Sequence, residues 1–461
     1  MLDSQVVNKL TAILGRENVF TTKEDLICYS YDSTPYDHLP DCVIAPVKTE
    51  EIAAVMKLAN EYKFPVVPRG GGTNLSGGSI PLEGGVVIAL HRMNKILEID
   101  ADNLTATVET GVITAALHQA VEKQGLFYPP DPQSMYMSTL GGNVAENAGG
   151  PRGVKYGVTK DYILGLEFVT PTGEVVRVGG KTIKNVSGYD LIRLFAGSEG
   201  TLGVITEITV KLLPLPEAKR TLLAMFDSLD AAAQTVSDII KQRIIPTTLE
   251  LMDQETMQLI EAFKPSGLPL DAAGALIIEV DGSSAEVDRQ IVKVADTCKA
   301  CGAREVRVAA NEAEATQLWT GRRSAFGALS RSCKAVLAED ATVPRSKVPE
   351  MVKRIKEIAA KYNLSMPTLG HTGDGNMHPQ ILIQKQDEEE MKRVDAAVDE
   401  IFQAALALGG TLSGEHGIGI SKQKYMDWQF SKAGLDMMRA IKKAVDPGNI
   451  LNPGKIFLRG E

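Results

Sequence analysis

Several things are missing from this 461-residue chain, and each absence narrows the reading. No apolar run approaches the roughly 20 residues of a membrane-spanning helix, so no transmembrane segment is expected. The opening MLDSQVVNKL has neither the regions of a signal peptide nor the arginines of a transit sequence, which predicts a cytoplasmic protein. Basic residues are outnumbered, 49 Lys and Arg against 58 Asp and Glu, and the net charge of −9 argues against nucleic acid as a principal partner. Cysteine is scarce, with five scattered along the chain. Cys298 and Cys301 form a C-x-x-C, but no second pair completes a zinc or iron–sulfur site. Residues 285–300 also carry Ile291, Val294, Ala295 and Cys298 on one helical face, so the pair reads as cysteines in and beside a helix. Histidine is rarer than expected for its importance below: six in all.

Glycine, by contrast, is abundant and clustered. The stretch PRGGGTNLSGGS, Pro68 to Ser79, places five glycines between two apolar runs, with Gly84 just ahead of the second. Glycine lets backbone N–H groups converge on a concavity, and such a nest binds phosphate. A Walker A loop would have Lys where Gly78 stands. A Rossmann loop would lead into a helix. Here the sequel, Gly85 to Leu90, reads as a buried strand. The pattern predicts a loop between strands that grips a pyrophosphate by its backbone, the plain alternative being a flexible surface turn.

With 44% apolar and 23% charged residues the chain is an ordinary globular protein of two or three domains. Residues 1–40 read as a short helical leader. Thr49 is expected to cap a helix bearing Ile52, Val55, Met56 and Ala59, and Thr114 another, ending at Gly125. Two more glycine clusters, Ser138 to Gly150 and Gly197 to Gly203, read as turns touching one large ligand. Beyond Pro214 and Pro216 strands and helices alternate in the manner of an antiparallel sheet with helices on one face. The expected fold class is α+β, with domains at 1–216 and 217–425 and a C-terminal segment, 426–461, returning to the first.

A second chemical cluster lies far downstream. His371 and His378 stand in GHTGDGNMH, and Glu415 and His416 in SGEHGIG. Two imidazoles and a carboxylate are a common ligand set for zinc, iron or manganese. The glycines disfavour a helix, so the two histidines are expected to converge from a turn or from paired strand ends. Adjacent residues in an extended segment point to opposite sides. Glu415 is therefore read as the third ligand of a divalent metal and His416 as a general base, since imidazole has a free lone pair near neutral pH. Arg322 is a candidate to fork onto a substrate carboxylate, with Arg323 beside it as a rival and a solvated basic patch as the plain alternative. His118, inside a helix, reads as structural.

Together these segments resemble the flavoprotein family of D-2-hydroxy acid dehydrogenases, within the vanillyl-alcohol oxidase type of FAD fold, from about Leu39 to Phe457. The resemblance implies a two-subdomain FAD-binding domain and an α+β cap with an antiparallel sheet. It implies FAD contacts from Arg69, Gly70, Gly71, Gly72, Thr73, Asn74 and Ser79, and from Asp131, Ser138, Gly141, Gly142, Asn147, Ile205 and Asn452. Some members attach FAD through a histidine in the glycine loop; Thr73 stands in that region, so the FAD is expected to be noncovalent. Hydride would pass from substrate C2 to flavin, the metal holding hydroxyl and carboxylate. With no iron–sulfur module, electrons would leave through a partner: an electron-transferring flavoprotein, an iron–sulfur subunit or a quinone. A small substrate is favoured, D-lactate first and glycolate next. Two readings of other classes stand beside it, a metal-dependent hydrolase and a non-catalytic electron-transfer subunit.

Overall fold

Val66–Arg69 and Val86–Ala89 lie side by side as parallel strands, Val66 opposite Val86 and Arg69 opposite Ala89. These are coordinates of a computed structural model, which describes residues 2–458. A parallel pair needs a crossover, usually helical. Here residues 70–85 make it without a helix, so the glycine loop spans two strand ends. All four residues of Val86–Ala89 are buried, as a strand covered on both faces requires. Cys42–Ile44 joins it in parallel, and Val19–Phe20 pairs antiparallel at the edge.

The helix Thr49–Tyr62 turns Ile52, Val55, Met56 and Ala59 into the core of this sheet, the face its spacing predicts. Lys48, and not Thr49, occupies the N-cap; the Thr49 hydroxyl instead donates to Glu167. The expected leader is also part of the fold. The helix Ser4–Leu14 buries Val6, Leu10 and Leu14 in the same core. A second sheet is wholly antiparallel, in the order Ile96–Asp100, Thr105–Glu109, Val204–Lys211, Ile163–Val169, Val175–Gly179.

The chain divides into two compact units. The first holds the chain up to Gly149, Val158–Leu215 and the chain from Glu415 onward; the second holds Gly150–Gly157 and Pro216–Gly414. The longer segment of the second unit starts at Pro216. The return to the first falls at Glu415 rather than at residue 426, because the backbone of Ile418, Gly419 and Ile420 is hydrogen-bonded to Glu199 and Ser76 of the first unit.

The second unit is built on one antiparallel sheet. Its order is Ala303–Val308, Ala218–Phe226, Gly274–Gly282, Thr248–Asp253, Thr368–His371, Asn376–Ile383, Ala335–Ala338, with Ala341–Thr342 also against Asn376–Ile383. Helices cover both faces, not one. Leu223, Met225, Met252 and Ile277 pack against residues of Gln254–Phe263, Glu312–Arg323 and Ala325–Ser330. The pleat sends Leu222, Ala224 and Ile278 to the other face, where Leu229–Lys241 and Ser284–Ala300 lie. The central strand Gly274–Gly282 is buried along nearly its whole length, which demands both covers. The C-x-x-C reading holds: Cys298 is in the helix, Cys301 at its end, and both are free thiols. No described helix is long and apolar enough to cross a membrane.

Ile277 is fully buried in that central strand. Ile277→Ala is expected to cost about 2–5 kcal/mol, seen as a lower midpoint of urea unfolding.

Candidate active site

The first unit gathers the glycine clusters. Gly71 has no room for a side chain, since a Cβ there would collide with the Met137 carbonyl oxygen. Gly72 and Gly77 take φ of +64° and +82°, which L-residues resist. Among the described residues, no backbone N–H from Gly71 to Ser79 donates to another protein group. Rows of backbone donors left unpaired by the fold are what an anion binds. Around them the loop is braced from within. Arg69, buried at the strand end, donates to the Tyr31 carbonyl at 2.7 Å and Ser79 Oγ at 3.2 Å. Asn74 donates to Asp32 at 2.6 Å and accepts from Ser79 at 2.9 Å. Burial pushes the Asp32 carboxyl up, against the pull of these hydrogen bonds and of Arg69.

The second cluster is not a turn. Leu140–Glu146 is a helix capped by Thr139, whose hydroxyl accepts from the Gly142 N–H, and Gly141 sits against Thr110 with no space for a Cβ. Asn147 ends that helix in the left-handed conformation, φ 54°, and accepts from the Lys160 N–H. Ser138 and Asp131 are buried, Ser138 Oγ lying 3.0 Å from Thr114 Oγ1. Ile205 is buried in Val204–Lys211. Asn452, at φ 45°, donates from one amide to both the Gly78 and Glu199 carbonyls, at 2.9 and 2.7 Å. His118 bonds to the Pro130 carbonyl at 2.9 Å and is structural. Glu415 and His416 open the returning segment, and a Cβ at Gly149 would fall 2.5 Å from a Glu415 carboxylate oxygen. His416 is buried.

In the second unit His371 and His378 lie on paired strands. His371 faces Asn376 and His378 faces Leu369 across the hairpin, which puts both imidazoles on one face, ring centroids 5.1 Å apart. On the neighbouring strand Glu250 is the register partner of His371. Its carboxylate meets His371 Nδ1 at 2.6 Å. Arg322, from Glu312–Arg323, donates to the same carboxylate through Nε at 2.9 Å and sits 2.7 Å away through a terminal nitrogen. Arg322 is 1% exposed and Glu250 0%, so neither is a solvated patch. Burial alone would raise the Glu250 carboxyl, but His371 and Arg322 hold it below its ordinary range. The prongs of Arg322 expected to meet a substrate carboxylate are thus turned to Glu250.

Asp340 is a second residue that sequence reasoning missed. It is fully buried and accepts from Ser413 Oγ at 2.5 Å and the Gly414 N–H at 2.9 Å, fixing the start of SGEHGIG. Glu250 lies in an apolar strand pattern, TLELMD, where a charged residue between two leucines was the available signal.

Two family models match: "FAD binding domain" over residues 40–179 and "FAD linked oxidases, C-terminal domain" over residues 215–456. The chain is 52% identical to the glycolate oxidase subunit GlcD of Bacillus subtilis (strain 168), over 100% of this chain and 98% of that one. It is 39% identical to a D-lactate dehydrogenase of Anaerostipes hadrus, over 90% and 89%. Among solved structures, p-cresol methylhydroxylase superposes with a TM-score of 0.83 at 21% identity, covering 98% of this chain and 96% of that one, a likeness of fold. The protein is a FAD-dependent oxidoreductase of the vanillyl-alcohol oxidase type of fold. It belongs to the FAD-linked D-2-hydroxy acid dehydrogenase family. The first unit fits the cofactor: besides the unpaired N–H row, Ser76 Oγ and Asn452 Oδ1 are buried beside the loop without a partner.

Gly71→Ala is expected to displace the loop from Met137 and weaken FAD binding at least about tenfold, the equivalent of 1.4 kcal/mol. Titration of apoprotein with FAD, followed by flavin fluorescence, checks it.

Proposed function

We propose that this protein oxidises a small 2-hydroxy monocarboxylic acid at C2, either D-lactate giving pyruvate or the achiral glycolate giving its 2-oxo acid. The names of the relatives weigh both substrates equally, one being a glycolate oxidase subunit and the other a D-lactate dehydrogenase. The observation that carries the reading is the buried chain Arg322–Glu250–His371 beside His378. A histidine that ligates a metal ordinarily donates its other ring N–H to a carboxylate, which sets tautomer and orientation. With Nδ1 given to Glu250, His371 would ligate through Nε2. His378 would be the second ligand and Glu415 the third.

When bound, FAD supplies the two-electron acceptor and a divalent ion supplies a Lewis acid that holds the hydroxyl and carboxylate oxygens. The chain's own residues do the rest. His416 takes the hydroxyl proton on its imidazole. Glu250 keeps His371 in one tautomer, and Arg322 keeps Glu250 ionised where no water could. The glycine loop, Asn147, Ile205 and Asn452 hold the flavin without a covalent bond, as no histidine stands between Pro68 and Ser79. Electrons leave to a partner, an electron-transferring flavoprotein, an iron–sulfur subunit or a quinone, with the cytoplasm as the site of action.

Anaerobic mixing of the holoenzyme with glycolate, D-lactate, L-lactate and D-2-hydroxyglutarate tests this. Bleaching of the flavin is expected with the first two. An unbleached flavin with every acid sinks the reading, and colourless protein that takes up no FAD returns the hydrolase. His416→Ala is expected to keep FAD and lose about 10²–10⁴-fold in the rate of flavin reduction. Glu250→Gln is expected to weaken metal binding about 10–100-fold, read by competition against a chromophoric chelator.

A further inference from the structure

The segment that carries His416 has no regular structure of its own. Gly417 and Gly419 take φ of +84° and +50°, and no helix or strand covers residues 413–420. Something else must hold the histidine still. Glu199, in the third glycine cluster, is buried and points both carboxylate oxygens at the returning segment. One accepts from the Ile418 N–H at 2.7 Å and the other from the Gly419 N–H at 2.6 Å. Charge-assisted bonds of this kind are stronger than neutral ones.

Glu199 is itself immobilised. Its N–H donates to the Ala145 carbonyl at 2.8 Å, and its carbonyl accepts from Asn452 at 2.7 Å. Its own φ is +52°, a conformation that a glutamate adopts only where its surroundings impose it. The far side of the segment is tied as well: the Ile420 N–H donates to the Ser76 carbonyl at 2.8 Å and the Gly419 carbonyl accepts from Ile456 at 2.9 Å.

We infer that Glu199 is a positioning residue, which holds the His416 imidazole in its working place by clamping the backbone two and three residues further on. The inference rests on His416 being the base. A second carboxyl, Glu146, lies beside the clamp. A Cβ at Gly417 would lie 2.6 Å from Glu146 Oε2 and 3.1 Å from Glu199 Oε1, so both carboxyls crowd that glycine. Glu146 is pushed well above the usual carboxylate range by burial and by Glu199. Burial raises Glu199 too, but two N–H bonds and the facing Lys455 and Lys422 oppose it. Both carboxyls are thus held above the usual range, and it is the geometry that makes the clamp, each Glu199 oxygen accepting one backbone N–H. A glutamine at 199 would turn an amide donor toward one of the two N–H groups, so it breaks one arm of the clamp with little change of shape.

The test uses holoenzyme saturated with FAD, as wild type, Glu199→Gln, Glu199→Asp and His416→Ala. Backbone hydrogen exchange across residues 417–420 reports the clamp, and rapid anaerobic mixing with glycolate or D-lactate reports flavin reduction. In Glu199→Gln exchange is expected to quicken and the limiting reduction rate to fall about 10²-fold, the scale of a misplacement near 1 Å. The apparent substrate Kd should stay within about twofold, since a positioning fault acts on the chemical step. Glu199→Asp, which keeps the carboxyl, should recover part of the rate. A wild-type rate in Glu199→Gln, whether or not exchange quickens, overturns the inference, as does an equal loss from rate and affinity. If the glutamine variant will not hold FAD, the aspartate variant decides, and a wild-type rate with quickened exchange overturns it there. Failure of the base reading is seen separately, as a wild-type rate in His416→Ala.

Discussion

A carboxylate taken out of water must be given donors, and this protein uses that demand to fix its least regular segments. Glu250, Asp340 and Glu199 are all buried, and each is satisfied by groups from sequence-distant parts of its own unit. Removing a donor from any of them would leave a buried charge unmatched, a cost of several kcal/mol in general. That cost keeps His371 in one orientation and keeps both ends of SGEHGIG in place. Helices and strands supply the frame, but the segments with chemistry are glycine-rich and would wander without these carboxylates.

The same need, inverted, describes the glycine loop. There the fold leaves donors without acceptors: the N–H groups from Gly71 to Ser79. The loop's side chains are committed to each other, Arg69 to Tyr31 and Ser79, Asn74 to Asp32. Only the backbone is left to receive an anion. A Lys, as in a nucleotide-hydrolysing loop, would bring a mobile charge; a backbone nest brings fixed dipoles, suited to a cofactor that stays.

Legibility in the sequence followed the range of the interaction. The strand Val86–Ala89 and the amphipathic helix Thr49–Tyr62 are set by neighbours within a few residues, and their patterns were readable. Caps that depend on tertiary partners were not: Thr49 gives its hydroxyl to Glu167, over a hundred residues away. Gly141 and Gly142 suggested a turn, yet they sit in a helix, where Thr110 fills the space a side chain at Gly141 would need. Helices on both faces of the second sheet were hidden for a similar reason. The near-continuous burial of Gly274–Gly282 calls for two covers, but which helices supply them is settled only by packing.

By itself the sequence determined the chemistry on offer: a glycine loop with no Lys, no helix to follow and no histidine for a flavin bond, and histidines at His371, His378 and His416 set among glycines. Residue identity is sufficient for that, since phosphate nests and imidazole ligands are properties of local composition. The tertiary structure alone decided which residues serve others. Strand register set Glu250 against His371, and the helix Glu312–Arg323 brought Arg322 to the same carboxylate. Glu199 looked like one polar residue in a turn until the returning chain placed two N–H groups against it. Such partners lie 72, 121 and some 220 residues apart, and only folding brings a buried charge to the donors it cannot do without.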